Sequence, residues 1–302
     1  MAANRILVTG ATGFVGSNLC RRLVRDGSEV HAITRPQSDV AQIEDVKNNL
    51  TIHVHDGSTA GMLKIIKTCR PKIVYHLASL FLAQHESEDI EALIKSNITF
   101  GVQLVEAMTI RRIPFLINTG TAWQHYRNEK YNPVCLYAAT KQAFEILLKF
   151  YTETSPLRVI TLKLFDTYGP FDPRAKLFSF LNQCKKQKQP ISMSPGEQRL
   201  DLVHIDDVVE AFLIAAHRLE AGEVKSHEAY AVSSKKAVRL REIVELYERL
   251  SGIKLNIRWG GRPYRPREVM VPWNSGKRLP EWSPKIELEE GIQLVAQLPD
   301  RS

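Results

Sequence analysis

The chain has 302 residues, 44% of them hydrophobic and 25% charged, with a formal net charge of +8. That length and balance can bury a sizeable core and exclude disordered and fibrous classes. No apolar run approaches the roughly 20 residues a bilayer crossing needs, and Met-Ala-Ala-Asn leads straight into a strand-like run with no charged-then-apolar leader, so a cytosolic protein with no membrane partner is expected.

Taken in order, "RILVTG" (5–10) predicts a strand and 14–26 a helix. Short β-branched runs recur at "EVHAITR" (29–35), "LTIHVHD" (50–56), "KIVYHLAS" (72–79), "PFLINTGT" (114–121) and "RVITLKLF" (158–165), with amphipathic stretches between them. Residues 90–109 and 138–153 read as long helices. The alternation argues for βαβ units and an α/β fold, a Rossmann-type doubly wound parallel sheet. After about residue 165 Pro and Gly become frequent, in "YGPFDPR", "SPGEQR", "GGRPYRPRE" and "LPEWSPK". Two further helices are expected at 206–219 and 239–251, and "EAYAVS" (228–233) reads as a returning core strand. The expected organisation is a dinucleotide domain over 1–165, receiving segments from about 200–233, and a smaller, discontinuous substrate lobe over 166–302.

Cys20, Cys69, Cys135 and Cys184 form no CxxC pair, and the histidines show no HExxH-like spacing. Reduced thiols and no metal are therefore expected. The positive charge suits a nucleic acid or a polyanionic nucleotide alike. The densest basic run, "KKQKQ" (185–189), carries no interleaved aromatics and reads as a solvated helix end, so no nucleic-acid partner is expected.

Gly10, Gly13 and Gly16 form G-x-x-G-x-x-G between a strand and a helix. The first glycine permits the tight turn, the second lets backbone approach a pyrophosphate, and the third allows close helix–strand packing. At the end of the second strand stand Thr34 and Arg35, with no carboxylate before Asp39. A guanidinium favours a 2′-phosphate and offers a 2′-hydroxyl no acceptor, which points to NADP(H).

Tyr137 and Lys141, in "YAATK", lie four apart and so share a helix face. A cation beside a phenol stabilises the phenolate, so Tyr137 is expected to have a lowered pKa and to serve as a proton donor and acceptor. Thr121, in "INTGTAW", stands at a strand's C-terminal end, where open α/β sheets bind ligands. Its hydroxyl can hydrogen-bond a reacting carbonyl oxygen.

The order of "TGATGFVG", "HLAS", "YAATK", "KLFDTYGPFDPR" (163–174), "GEQRLDLVHIDDVVEAF" (196–212) and "LPEWSPKIELEEGI" (279–292) resembles the extended short-chain dehydrogenase/reductases of the NAD-dependent epimerase/dehydratase family over nearly the whole chain. The resemblance implies that Tyr137 is the catalytic acid/base, Lys141 its ribose-binding partner and Thr121 the substrate-orienting hydroxyl. It implies dinucleotide contacts from Thr12, Phe14, Val15 and the glycines of the turn. Further contacts are implied from Asp56 and Gly57, from Leu77, Ala78 and Ser79, and from Asn97, Thr119 and Leu164. For a nucleotide-diphosphate sugar it implies Phe81, Lys176 and Leu177, with Arg199 and Arg265 clamping the pyrophosphate. Asp166 falls where the family often has Asn, and its contact stays open. The resemblance also implies a homodimer, paired through the helices at 90–109 and 138–153.

Dehydratases of the family usually carry an Asp-Glu pair after that threonine, whereas Ala122 and Trp123 follow Thr121. A 4-epimerase holds NAD⁺ permanently, which Arg35 argues against. Simple ketoreduction remains. The short stretch from "INTGT" to "LYAATKQAFE", with "KLFSF", is similar to the CDP-abequose and CDP-paratose synthases. That similarity implies a CDP-linked 4-keto-3,6-dideoxyhexose on the route to lipopolysaccharide O-antigen sugars. Two alternatives stand beside it, a nucleotide-sugar 4-epimerase with retained NAD and a non-catalytic NADPH-sensing protein.

Overall fold

The computed structural model describes residues 5–185 and 189–297. Met-Ala-Ala-Asn and the middle of "KKQKQ" lie outside the described residues. Among the described residues no helix is long and apolar enough to cross a membrane.

The first half alternates strand and helix as the apolar runs predict. In order come β1 (Arg5–Thr9), α1 (Phe14–Arg25), β2 (Glu29–Thr34), β3 (Leu50–Val54), α2 (Thr59–Cys69) and β4 (Ile73–His76). They are followed by α3 (Ile90–Ile94), a π-helical turn (Lys95–Thr99), α4 (Phe100–Ile110), β5 (Phe115–Thr121), α5 (Leu136–Thr154) and β6 (Arg158–Leu164). The helix expected at 90–109 is thus one run with a π turn in its middle. Widened turns of this kind are common at functional sites, and this one carries Asn97.

The second half holds β7 (Asp166–Tyr168), α6 (Leu177–Cys184), β8 (Ile191–Met193), β9 (Arg199–Leu200), β10 (Leu202–His204) and α7 (Ile205–Glu220). After these come β11 (His227–Val232), β12 (Val238–Arg239), α8 (Leu240–Ser251), β13 (Ile257–Trp259) and α9 (Leu288–Ala296). The main sheet has the order β11-β6-β5-β4-β1-β2-β3, and its neighbouring strands are parallel. Strand β11 is the returning strand that "EAYAVS" announces.

Helices α1 and α7 bury one face of the sheet, with Leu19, Leu23, Phe212 and Leu219 at the core. Helices α2, α4 and α5 bury the other, with Ile66, Leu104, Met108 and Leu148. The chain reverses direction across the sheet between β1 and β4, and the C-terminal ends of these strands open a ligand crevice there. A third cluster joins α6, α8 and α9 through Leu181, Tyr247 and Ile292.

Two quoted motifs prove to hold each other. In "LVHIDD", Asp207 accepts backbone hydrogens from Lys285 and Ile286, and its carbonyl accepts the Trp282 indole at 2.9 Å. "LPEWSPK" is therefore pinned over the start of α7, which fixes the C-terminal segment on the sheet.

Candidate active site

The β1–α1 turn is built around two glycines that no other residue can replace unstrained. Gly10 has φ +72°, and a Cβ there would stand 2.6 Å from the Ala78 nitrogen. A Cβ on Gly16 would stand 2.0 Å from the Gly10 carbonyl oxygen. Gly13 caps α1 with its backbone, and its N–H donates to the Gly10 carbonyl at 3.0 Å. The helix N-terminus thus lies beside the strand crests with Gly13 exposed and Thr12 half-buried, a geometry that receives a pyrophosphate. Phe14 turns inward and is 3% exposed, with the Arg174 guanidinium 4.7 Å above its ring.

The neighbouring crests hold the other expected dinucleotide residues. Arg35 is exposed, and among the described residues its guanidinium has no hydrogen-bond or ion-pair partner. Asp56 is also exposed, and its carboxylate accepts from the Ser58 N–H and hydroxyl at 2.8 Å, which holds it below the usual carboxylate range. Gly57 follows with φ +89°. Leu77 and Ala78 are tied to β1, their N–H groups donating to the Thr9 carbonyl and hydroxyl.

Asn97 behaves differently from expectation. It is 1% exposed, and its amide donates to the Leu80 carbonyl and Thr140 hydroxyl, both at 3.0 Å. Its oxygen accepts from the Leu80 N–H and the Ser79 hydroxyl. All its capacity goes into the protein, so Asn97 positions the Leu77–Leu80 loop against α5 instead of facing a ligand.

A cleft of about 720 Å³ opens beside this groove. It brings together Val15, Phe81, Thr119, Thr121, Tyr137 and Leu164, and across from them Asp166, Lys176 and Leu177. The Thr119 hydroxyl is buried without a hydrogen-bond partner, an orphaned polar group of the kind that a bound molecule satisfies. Phe81 packs edge-on to Tyr137 at 5.0 Å and lies 5.5 Å from Trp123, while the Lys176 ammonium sits 3.9 Å from its ring centre. Burial pushes the Asp166 carboxyl up, against the opposing charge of Lys176. Arg199 and Arg265 line a smaller cavity of about 70 Å³, which shares Trp123, Phe165, Asp166 and Leu200 with the main cleft. Arg265 is forked onto Glu268, with contacts of 2.8 and 3.1 Å.

Tyr137 stands in the first turn of α5, with Lys141 one turn on and Glu145 one turn further. Burial pushes the Tyr137 phenol up to about 12, with the Ser79 hydroxyl and the Arg174 charge pulling the other way. The expected lowering by Lys141 is not found. Lys141 is 2% exposed and is itself pushed down to about 8, burial outweighing the attraction of Glu145. Dry surroundings disfavour phenolate and ammonium alike, so Tyr137 stays a protonated donor at neutral pH.

Thr121 ends β5 and caps the short helical turn Ala122–Gln124, its hydroxyl accepting from the Trp123 N–H at 3.3 Å. The hydroxyl proton remains available to a substrate oxygen. Behind it lies a buried network absent from the sequence expectations. The Thr121 N–H donates to the Gln124 side chain, and Gln124 donates to Glu145 at 2.8 Å. Glu145 pairs with Lys163 at 3.3 Å, and Lys163 meets the His125 ring at 2.9 Å. His125 in turn stacks on Trp273 at 3.9 Å. Glu145 continues the Tyr137–Lys141 spacing by four, the one sequence signal that could have found it.

A glycine turn feeding a parallel-sheet crevice, with threonine, tyrosine and lysine at its mouth, defines a Rossmann-type dinucleotide enzyme cleft. The NAD dependent epimerase/dehydratase family matches residues 6–232, and the chain belongs to it. It is similar to the CDP-abequose synthase of Salmonella muenchen, with 27% identity over 97% of each chain. It is also similar to the UDP-glucuronate 4-epimerase of Thermodesulfobacterium geofontis, with 26% identity over 95% of this chain and 93% of the relative. The fold matches the Thermus thermophilus UDP-glucose 4-epimerase in complex with NAD, at a TM-score of 0.82 and 23% identity over 97% of each chain.

Proposed function

We propose that the chain uses NADPH to reduce the C4 ketone of a nucleotide-linked 4-keto-6-deoxy or 3,6-dideoxy hexose, CDP-linked, in deoxysugar biosynthesis. The observation that carries this reading is Arg35, an unpaired guanidinium at the β2 crest where an NAD-preferring site would place a carboxylate. A 2′-phosphate selects the cytosolic reductant pool, which suits a dinucleotide exchanged at every turnover. Similarity to CDP-abequose synthases along the full chain supports the substrate class. When bound, the reduced nicotinamide supplies a hydride to the carbonyl carbon. Thr121 orients the carbonyl oxygen, Tyr137 gives it a proton, and Lys141 stabilises the phenolate until solvent reprotonates it. Arg199 and Arg265 would take the pyrophosphate, Arg265 exchanging its Glu268 partner for it.

Arg35→Ala is expected to weaken NADPH binding by about 10–100-fold, the loss of charge-assisted hydrogen bonds, and to leave NADH binding nearly unchanged. Fluorescence titration of both nucleotides checks this, and equal losses would remove Arg35 as the reader of the phosphate. The second reading, a 4-epimerase, is favoured by the similarity to UDP-glucuronate 4-epimerases. Purified protein that carries NAD⁺ and will not exchange it would decide for that reading.

The pH dependence carries opposite signs for activity and stability. Catalysis uses the Lys141 cation, so kcat/KM for the dinucleotide, which reports the free enzyme, falls as pH rises through about 8. The unfolded chain holds this proton up to the ordinary value of 10.5, so between about 8 and 10.5 it binds more protons than the folded one. Stability therefore rises with pH across that window. Profiles of rate and melting temperature that fall together would overturn the role of Lys141.

We also propose a homodimer. Ile90 and Ile94 on α3, and Ile146 and Phe150 on α5, are 38–61% exposed on helices that touch each other, and a second copy would bury them in a four-helix bundle. Ile146→Glu with Phe150→Glu should shift the protein from dimer to monomer in sedimentation. Wild-type protein that sediments as a monomer would refute the pairing.

A further inference from the structure

The histidines and cysteines show no metal-ligand spacing in sequence, yet the fold gathers three of them from separate elements. His31 lies on β2, His53 on the edge strand β3 and Cys69 at the end of α2, on the sheet face away from α1. The His31 Nδ1 and His53 Nε2 atoms are 2.9 Å apart, and one ring nitrogen of each histidine and the Cys69 sulfur lie within 4.8 Å of one another. The register explains the meeting, because Ile33 pairs with His53 and so places His53 on the same face as His31, one strand outward. The two rings are nearly parallel, at 12°.

A second observation is independent of that convergence. His31 uses its other nitrogen, Nε2, toward the Glu29 carboxylate at 3.1 Å, and Glu29 is itself held by Arg5 at 3.0 Å. A carboxylate behind a histidine fixes the tautomer, with the proton on Nε2 and the Nδ1 lone pair aimed at the cluster. His31 and Cys69 are 6% and 0% exposed, while His53 on the edge is half-buried and leaves a path from solvent.

We propose that His31, His53 and Cys69 form a binding site for a thiophilic divalent cation such as Zn²⁺, with a water as fourth ligand and Glu29 orienting His31 from behind. Two nitrogens on a tetrahedral zinc stand about 3.3 Å apart, so the rings need part by only a few tenths of an ångström. On binding, the Cys69 thiol releases its proton to water and its sulfur bonds the metal, with no change of oxidation state. The ion would tie edge strand β3 to β2 and to α2, well away from Tyr137 and Thr121. Two imidazoles and one thiolate suit zinc or cobalt over magnesium or calcium.

The test uses tag-free, chelator-treated full-length protein titrated with Co²⁺, followed by competition with Zn²⁺. One Co²⁺ per chain is expected, with a sulfur-to-cobalt charge-transfer band that Zn²⁺ abolishes. Cys69→Ser should lose the band, and Glu29→Gln should weaken binding by about 10–100-fold, as loss of an orienting carboxylate does. His53→Gln changes a half-exposed edge residue, so it decides the matter should Cys69→Ser not fold, and it too should lose saturable binding. Tyr137→Phe should bind the ion as the wild type does. Absence of a saturable band, a band that survives Cys69→Ser, or unchanged affinity in His53→Gln would each overturn the site.

Discussion

Replacing Tyr137 with phenylalanine is expected to lower turnover of a 4-keto sugar by about 10²–10⁴-fold, the range of general acid catalysis, while NADPH still binds. The ring is held by packing, edge-on to Phe81 at 5.0 Å, and phenylalanine keeps that contact. What it loses is the proton that neutralises the developing alkoxide. The phenol's high pKa keeps it protonated at neutral pH, the form that reduction needs as donor. Single-turnover NADPH oxidation measures the chemistry, and a fluorescence titration measures binding. Unchanged turnover would remove Tyr137 from the mechanism. A wild-type protein that binds NADPH but turns over no keto sugar would instead favour the sensing alternative.

Glu145→Ala is expected to cost about 3–5 kcal/mol of stability, the penalty for leaving a buried charge unpaired. Its partner Lys163 is 6% exposed on the side chain and keeps only the neutral-ring contact to His125 as a polar partner there. The same change takes one of two acceptors from Gln124, leaving Gln142, and Gln124 holds the Thr121 N–H at 2.9 Å. Turnover should therefore fall along with stability. Glu145→Leu combined with Lys163→Met should recover most of the stability, because an apolar pair replaces the ion pair without an orphaned charge. Denaturant unfolding of the three forms checks this. A single variant within about 1 kcal/mol of wild type, the range of exposed ion pairs, would show that the pair is hydrated.

Much of the fold was legible because its signals are local. The β-branched runs of β1 to β6 alternate with amphipathic stretches, and each strand lies within its run, with bounds that differ by at most three residues. The π turn was not legible, since one widened turn leaves apolar periodicity almost unchanged. Among the candidate site residues, those on or beside strand ends share one place in the fold. Thr121, Leu164 and Asp166 all reach the cleft because parallel strands end on the same side. The hydrogen bonds of Asn97 were not legible, because they run to Leu80 and Thr140, which lie 17 and 43 residues away. Arg174 went unnamed although "FDPR" was quoted, because its closeness to Phe14, 160 residues earlier, exists only once the chain has folded.

The sequence by itself determined the parallel sheet, the glycine turn, the placing of Tyr137 and Lys141 on one helix face and the absence of a carboxylate beside Arg35. Each is a matter of residue type at a short, fixed spacing, where backbone geometry leaves little choice. Only the tertiary structure decided the pKa of Tyr137, the Gln124–Glu145–Lys163 support under Thr121 and the meeting of His31, His53 and Cys69. Those depend on burial and on contacts between strands and helices far apart in the chain, and dielectric and distance come into being only once the core has closed.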